Sequence, residues 1–401
     1  MLVEFRFQNF LSFKELQSFS MVKSKGGESP ANAFAVMPER DLSLLKSSAV
    51  YGPNASGKSH FLQALAVMKG IVTTAGQHGM KLPLVPFRLH PETANQPSEF
   101  EVSFIVRGVK YQYGFSASAD QIFDEWLFAF PFDRPQKWFA RVWDAGSGKH
   151  LWKFSPFLQG AKKLWLQSTR ENALFLATSV QLNSEQLRPV FEWFSNTLRF
   201  VGTEGLSADP SARFCMGDGK ERVLQFLKAA DFKIADIRVV ENNLSAERAY
   251  EIHTVHTDSS GQPVLFNFRN ESSGMQKFFS FAEPVLTALS NGSVLCADDL
   301  DQYLHPKLVQ FLVELFHDPK TNPKNAQLLF TAHDTTILSQ ELFRRDQIWL
   351  CDKTKEQASF LYPLSDFSPK KGKENLEQGY LSGRYGALPL VRSFAGYGNG
   401  Q

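Results

Sequence analysis

The sequence predicts an α/β fold: a mixed sheet with flanking helices, an N-terminal antiparallel β-subdomain, and an inserted lobe that is first β-rich and then helical. Three observations carry this. The apolar run Ser47-Ser48-Ala49-Val50-Tyr51 leads through a glycine-rich turn into residues at helical spacing. Two later apolar runs end in chemistry, Ser293–Ala297 in two acids and Gln327–Ala332 in a histidine. Between the first run and these two, aromatic and β-branched residues alternate at period two.

Length and composition bound the rest. At 401 residues the chain can hold two or three domains and bury a large core. Hydrophobic content of 43% with 21% charged residues is that of a soluble globular protein. The formal net charge of +2 argues neither for nor against nucleic acid. Cys215, Cys296 and Cys351 lack metal-ligand spacing and fit reduced thiols in a cytoplasm. No signal-peptide pattern and no apolar run near 18 residues is present, so a cytoplasmic protein with no membrane segment is expected.

In chain order, Leu2, Val3, Phe5 and Phe7, then Phe10, Leu11 and Phe13, read as strands, with Gln8-Asn9 turning the chain. Lys23 to about Glu39, with Gly26, Gly27, Pro30 and Pro38, reads as a loop. Phe61, Leu62, Leu65, Ala66 and Met68 mark a helix that fades near Gly70–Gly79. Glu99–Val106, Arg107-Gly108 and Val109–Phe115 form a hairpin pattern, continued by strands at Glu125–Phe130 and Trp138–Trp143. Packing between strands, more than base stacking, explains this aromatic content.

The pattern from Lys162 to Phe200 is helical, Leu206–Gly219 reads as a mobile loop, and a short helix covers Val223–Ala230. Strands follow at Ile234–Val240 and Tyr250–His256. The expected division is 1–83 and 261–401 as the two parts of one core, with 84–260 inserted (β-rich over 84–145, helical over 162–230).

Gly52-Pro53-Asn54-Ala55-Ser56-Gly57-Lys58-Ser59 fits the phosphate-loop pattern G-x-x-x-x-G-K-[ST] at every fixed position. Amides of Asn54, Ala55, Ser56 and Gly57, with the helix start at Lys58, Ser59 and His60, would face a nucleoside triphosphate. Lys58 would reach the β- and γ-phosphates and the Ser59 hydroxyl would ligate Mg²⁺. Asp298, first off its strand, would hold the metal shell, and Asp299 would polarise the attacking water. His333 follows one helix later, placed to touch the γ-phosphate or the water. Ser272, Ser273 and Gly274 open a helix (Phe278, Phe279, Phe281, Ala282, Val285, Leu286) and form a second anion site at its N-terminus.

This order of motifs, with Leu304-His305-Pro306 after the acids, resembles the ABC-type ATPases of the SMC, RecF and OLD group. Phe5-Arg-Phe-Gln-Asn-Phe-Leu-Ser-Phe13 is similar to their N-terminal strand and N-F-x-S-F turn. Arg170–Leu176 and Tyr380–Pro389 resemble the stand-alone AAA-type ATPases of bacterial anti-phage defence and abortive-infection operons, closest to the AbiL type paired with RloB-like proteins. The resemblance implies ATP and Mg²⁺ as cofactors. It makes Ser272 and Gly274 a signature loop that contacts the γ-phosphate on a second copy, hence a head-to-tail homodimer or higher oligomer. His333 becomes the switch histidine, and no glutamine of the kind these ATPases place before the signature is identifiable.

Most relatives carry glutamate at the position of Asp299, so the shorter side chain implies slow hydrolysis and a long-lived ATP dimer. The interval between Lys58 and Ser272 has no heptads, which excludes a coiled-coil arm, and no clustered acids follow His333 as a nuclease would need. The expected roles are an ATP-gated sensor or scaffold controlling a nearby effector (a nuclease or RloB-like protein), a RecF-like DNA clamp, or an assembly module that barely hydrolyses ATP. Lys370-Lys371-Gly372-Lys373 and Arg344-Arg345 are the candidates for DNA contact. The tail Tyr380–Pro389 reads as a segment packed on the core, with partner docking as the sharper alternative.

Overall fold

The computed structural model describes residues 1–26, 28–37, 41–74, 81–131, 134–202, 206–241, 250–369 and 374–389. The N-terminal alternation forms strands β1 (Leu2–Gln8) and β2 (Gln17–Ser20). The stretch expected as a loop from Lys23 contains a further strand, β3 (Ala33–Met37), paired antiparallel with β4 (Leu42–Leu45). Gly26 and Pro30 precede that strand, and Gly27 and Pro38 lie outside the described residues. Then come β5 (Ser47–Tyr51) and the helix α1 (Lys58–Thr73).

The hairpin pattern folds as β6 (Ser98–Val106) and β7 (Val109–Ala117), turning at Arg107 and Gly108, both at positive φ. Strands β8 (Ile122–Phe130), β9 (Gln136–Asp144) and β10 (Lys149–Phe154) continue the meander. All five join β1 and β2 in one antiparallel sheet, ordered β10-β9-β8-β7-β6-β1-β2. Phe5, Phe7, Phe100, Phe104, Tyr113 and Phe115 are buried on its inner face, so the aromatic stripe is packing.

Helices α2 (Lys162–Ser168), α3 (Phe175–Gln181) and α4 (Arg188–Glu192) lead to β11 (Leu198–Val201). Beneath them Glu125 is sealed from solvent. Its carboxylate accepts from the Tyr113 hydroxyl (2.9 Å) and from the amides of Phe175 (2.7 Å) and Leu176 (3.0 Å), two orphan donors at the start of α3. The Arg141 guanidinium lies 3.2 Å away and donates to the Ala173 carbonyl at 2.6 Å. The segment Arg170–Leu176 is thereby fastened to the aromatic sheet.

Leu206–Gly219 is not a loop throughout, because α5 spans Asp209–Met216. Pro210 falls in the first turn, where a missing N–H costs nothing, and Gly217 caps the end. Helix α6 (Lys220–Ala229) and strands β12 (Asp236–Glu241), β13 (Tyr250–Thr257) and β14 (Pro263–Asn267) follow, the strands forming a small antiparallel sheet. Next come α7 (Ser273–Asn291), β15 (Val294–Ala297), α8 (Pro306–His317) and β16 (Gln327–Thr331). Strands β17 (Ile348–Lys353) and β18 (Ser359–Pro363) and helix α9 (Leu376–Leu381) are the last elements among the described residues.

The central sheet runs β11-β15-β16-β5-β17-β18, parallel except for the last pair. Strands β5, β15 and β16 are buried at every residue, the continuous apolar pattern of a sheet covered on both faces. Val50, Cys296, Leu329 and Cys351 point into one core, with α1 and the aromatic sheet. Ala49, Leu295, Ala297, Leu328 and Phe330 point into the other, with α7 and α8. The molecule is therefore layered, and residues of 84–260 contribute to both large sheets.

The tail packs on this core. Tyr380 and Tyr385 are buried, the Tyr380 hydroxyl donates to the Ala387 carbonyl (2.7 Å), and the Ala387 amide donates to Asp352 (2.9 Å). Among the described residues, no helix is long and apolar enough to cross a membrane.

A candidate nucleotide site

Parallel pairing brings three strand ends to one edge of the central sheet. Phe330 lies between Ala297 and Ala49 in register, so the residues after β5, β15 and β16 emerge side by side. Those residues are the phosphate loop, Asp298-Asp299, and His333.

The loop is tightly framed. A Cβ at Gly52 would sit 2.2 Å from the Cys351 carbonyl oxygen, and one at Gly57 would sit 2.5 Å from the Ser359 hydroxyl. Gly57 also has φ +117°, the left-handed region that glycine tolerates. Ser12, from the N-F-L-S-F turn, meets both His60 Nδ1 and the Ser359 hydroxyl at 2.8 Å. That turn therefore buttresses the loop from the side. Asn54, Ala55 and Ser59 are exposed while Ser56 is buried.

Lys58 is only 5% exposed, and its ammonium donates to the carbonyls of Gly52 (2.8 Å) and Pro53 (3.1 Å). Burial pushes its pKa down, against the Cys351 thiol and the carboxylates of Asp299, Asp298 and Asp301. His60 is likewise shifted down by burial, with help from Lys353. A cation among acids, beside an exposed serine hydroxyl at a helix start, suits a polyanion and a hard metal.

Across from the loop, the Thr331 hydroxyl donates to Asp298 Oδ1 (2.6 Å) and accepts from the Asp299 amide (2.8 Å). One side chain thus sets both acids. Asp299 Oδ1 lies 3.5 Å from His333 Nε2 with its side chain 39% exposed. The His333 hydrogen bond holds the Asp299 carboxyl below its ordinary 3.8, aided by the charges of His333, Lys58 and Lys277 and opposed by burial. Asp301 Oδ2 accepts from the amides of His333 (2.7 Å) and Asp334 (2.6 Å), so a third acid pins the turn that carries the histidine.

Ser272 caps α7, its hydroxyl accepting from the Met275 amide at 3.2 Å. Ser272 and Ser273 are exposed, and Gly274 packs so closely on the next loop that a Cβ would lie 3.0 Å from the Tyr303 carbonyl. A cleft of about 1120 Å³ borders this helix start and is lined by Arg269, Ser273, Gln276, Lys277, Tyr250 and Tyr303. It does not include the phosphate loop.

Thr331, Asp301 and Lys277 are the residues missed by the sequence reading. Each has a faint signal: a threonine after the apolar run Leu328-Leu329-Phe330, a third acid after two, a lysine just before the apolar pair Phe278-Phe279. The basic pair Arg344-Arg345 is corrected. Arg344 is 1% exposed and paired with Asp346 (2.8 Å), while Arg345 pairs with Glu28 and donates to the Pro369 carbonyl (2.8 Å). Burial closes Arg344 off from DNA phosphates, and Arg345, its side chain 27% exposed, is engaged by Glu28. Lys370–Lys373 lies outside the described residues. Among the described residues no cluster of His, Cys, Asp and Glu forms a metal cage of its own.

A phosphate loop on a parallel sheet, faced by two acids and a histidine, defines a P-loop nucleotide-binding protein. The chain belongs to the family described as "AAA domain, putative AbiEii toxin, Type IV TA system", which matches residues 47–339. Among solved structures it is similar to the SMC head domain from Thermotoga maritima, with 12% identity and a TM-score of 0.41 over 90% of this chain and 98% of that one. It is similar too to the Smc head domain from Pyrococcus furiosus bound to the C-terminal domain of ScpA, with 10% identity and a TM-score of 0.41 over 90% and 96%. No curated protein matches in sequence.

Proposed function

We propose that this chain is an ABC-type ATPase that closes as a head-to-tail homodimer over two Mg²⁺–ATP, acting as the sensor or scaffold of a bacterial anti-phage system. The convergence of Lys58, Asp298, Asp299 and His333 at one sheet edge supports nucleotide binding. The single observation that favours dimerisation is Ser272, exposed at the start of a 19-residue helix, its hydroxyl bonded among the described residues to its own helix alone. Bound Mg²⁺–ATP would supply the transferable phosphoryl group. Asn54 to Gly57 would offer amides, Lys58 and His60 would lie along the phosphates, and Ser59 and Asp298 would hold the metal.

In this reading Asp299 orients water, and His333, 3.5 Å from its carboxylate, reaches the γ-phosphate or the water. Asp299 is one methylene shorter than glutamate, about 1.5 Å of reach against a required contact of about 2.6–3.2 Å. Turnover is slow and the closed dimer long-lived, a state suited to gating a separate effector, a nuclease or RloB-like protein encoded nearby. The burial of Arg344 removes one of the two basic clusters behind the DNA-clamp alternative.

The test is complementation between two dead variants. Lys58→Ala and Ser272→Arg should each abolish hydrolysis alone. Mixed, half the random dimers hold one intact composite site, so about a quarter of parental activity returns. No recovery on mixing would refute the head-to-tail site.

A further inference from the structure

We infer that Lys277 is a positioning residue for Asp299, fixing the peptide of the water-orienting acid to the helix that carries Ser272. The inference rests on the ATPase reading above and concerns how its site is set.

Lys277 follows Ser272 by about one and a half turns of α7. It is 7% exposed, and its neighbours one turn away on α7 are Ser273 and Gly274 on one side and Ser280 and Phe281 on the other, a face that borders the cleft at the helix start. A methionine would fill that space without the cost of burying an ammonium, so packing alone does not account for lysine here. What lysine adds is a donor: Nζ bonds the backbone carbonyl of Asp299 at 3.1 Å, with the Phe281 ring 5.4 Å from the charge.

The acceptor matters. Asp299 sits at φ +46°, a left-handed conformation uncommon outside glycine, and its amide is already held by Thr331. Lys277 fixes the other end of the residue. Because the bond goes to the peptide oxygen, the carboxylate stays free to meet His333 and solvent. A second contact, Gly274 against the Tyr303 carbonyl, docks the same loop on the first turn of α7. The signature helix and the acid loop are thus joined at two points, one of them a charge-assisted hydrogen bond.

Lys277→Met keeps length and volume and removes the donor, while Lys277→Arg keeps a cation and an N–H. The readouts are Mg²⁺–ATP binding, kcat and KM on the full chain, with thermal unfolding in the same preparations. The Met variant should fold and bind Mg²⁺–ATP as the parent does, with KM changed less than about 2-fold and kcat lower by about 10-fold or more. The Arg variant should regain roughly half of the parental kcat. A Met variant within about 2-fold of the parental kcat, one whose binding falls in step with its rate, or equal loss in Met and Arg would overturn the inference. A parent that neither binds nor hydrolyses Mg²⁺–ATP would sink the ATPase reading, and this inference with it.

Discussion

The aromatic sheet and the central sheet each hold a carboxylate within reach of a cation, and they treat it oppositely. Glu125 is fully buried, bonded by a phenol and two amides and paired with a buried guanidinium. Asp299 is held by its backbone, through Thr331 and Lys277, while its carboxylate keeps a long contact to His333 and an open side. A buried charge closed on its partners builds structure, because removing any one leaves another unpaired. A charge whose backbone is fixed and whose oxygens stay available can act on something that arrives. The difference marks which acid is architecture and which is chemistry.

The largest expected effect tests the closed site. Glu125→Ala strands Arg141 in a dry sheet and frees the start of α3, so stability should fall by about 3–5 kcal/mol in denaturant unfolding. Nucleotide binding by the folded fraction should not change. Asp299→Asn is the mirror image. Hydrolysis should drop about 10²–10³-fold, equivalent to about 2.7–4 kcal/mol of barrier, with stability within about 0.5 kcal/mol of the parent. If both variants lost activity and stability together, the division between the two sheets would fail.

A third group shows that closure can be undone by protons. His317 is buried beside the central sheet, its Nε2 2.7 Å from the Ser47 hydroxyl, with the Lys46 ammonium on its carbonyl. Burial, then the Lys46 charge, pushes its pKa down from 6.5 to about 3. The unfolded chain therefore takes up this proton first. Stability from the neutral ring is complete above pH 6.5 and is lost as pH falls toward 3, about 2 kcal/mol of it by pH 5. Unfolding free energies from denaturant titrations at pH 8 and pH 5 should differ by that much more in the parent than in His317→Gln.

How much of this could be read from the chain follows from the distances involved. The phosphate loop, the paired acids and His333 are local patterns, a buried strand ending in polar residues, and strand-turn-helix geometry fixes their use. The arrangement of those strand ends also follows, since alternating strand and helix produces parallel neighbours. The supports do not. Thr331, Asp301 and Lys277 act on residues from 22 to 33 positions away, through contacts that only the folded sheet creates. Arg344-Arg345 misled for the same reason, because charge in a sequence looks solvated until Asp346 and Glu28 close on it. Pro210 misled through position, being a breaker inside a helix and harmless in its first turn.

The smallest effect sharpens the open site most. Asp299→Glu lengthens the carboxylate toward the water and should raise turnover, yet the backbone there resists. At φ +46° aspartate is among the better-tolerated residues, since its short side chain can bond locally, and glutamate has no such help. The added methylene must also pass His333, now 3.5 Å from the aspartate oxygen. We expect a gain of about 3–10-fold in kcat, at most about 1.4 kcal/mol, with a loss of roughly 1 kcal/mol in stability. Single-turnover hydrolysis measured beside thermal unfolding separates the two. A glutamate variant that is less stable and no faster would show that residue 299 shapes the loop and that the water is oriented from elsewhere.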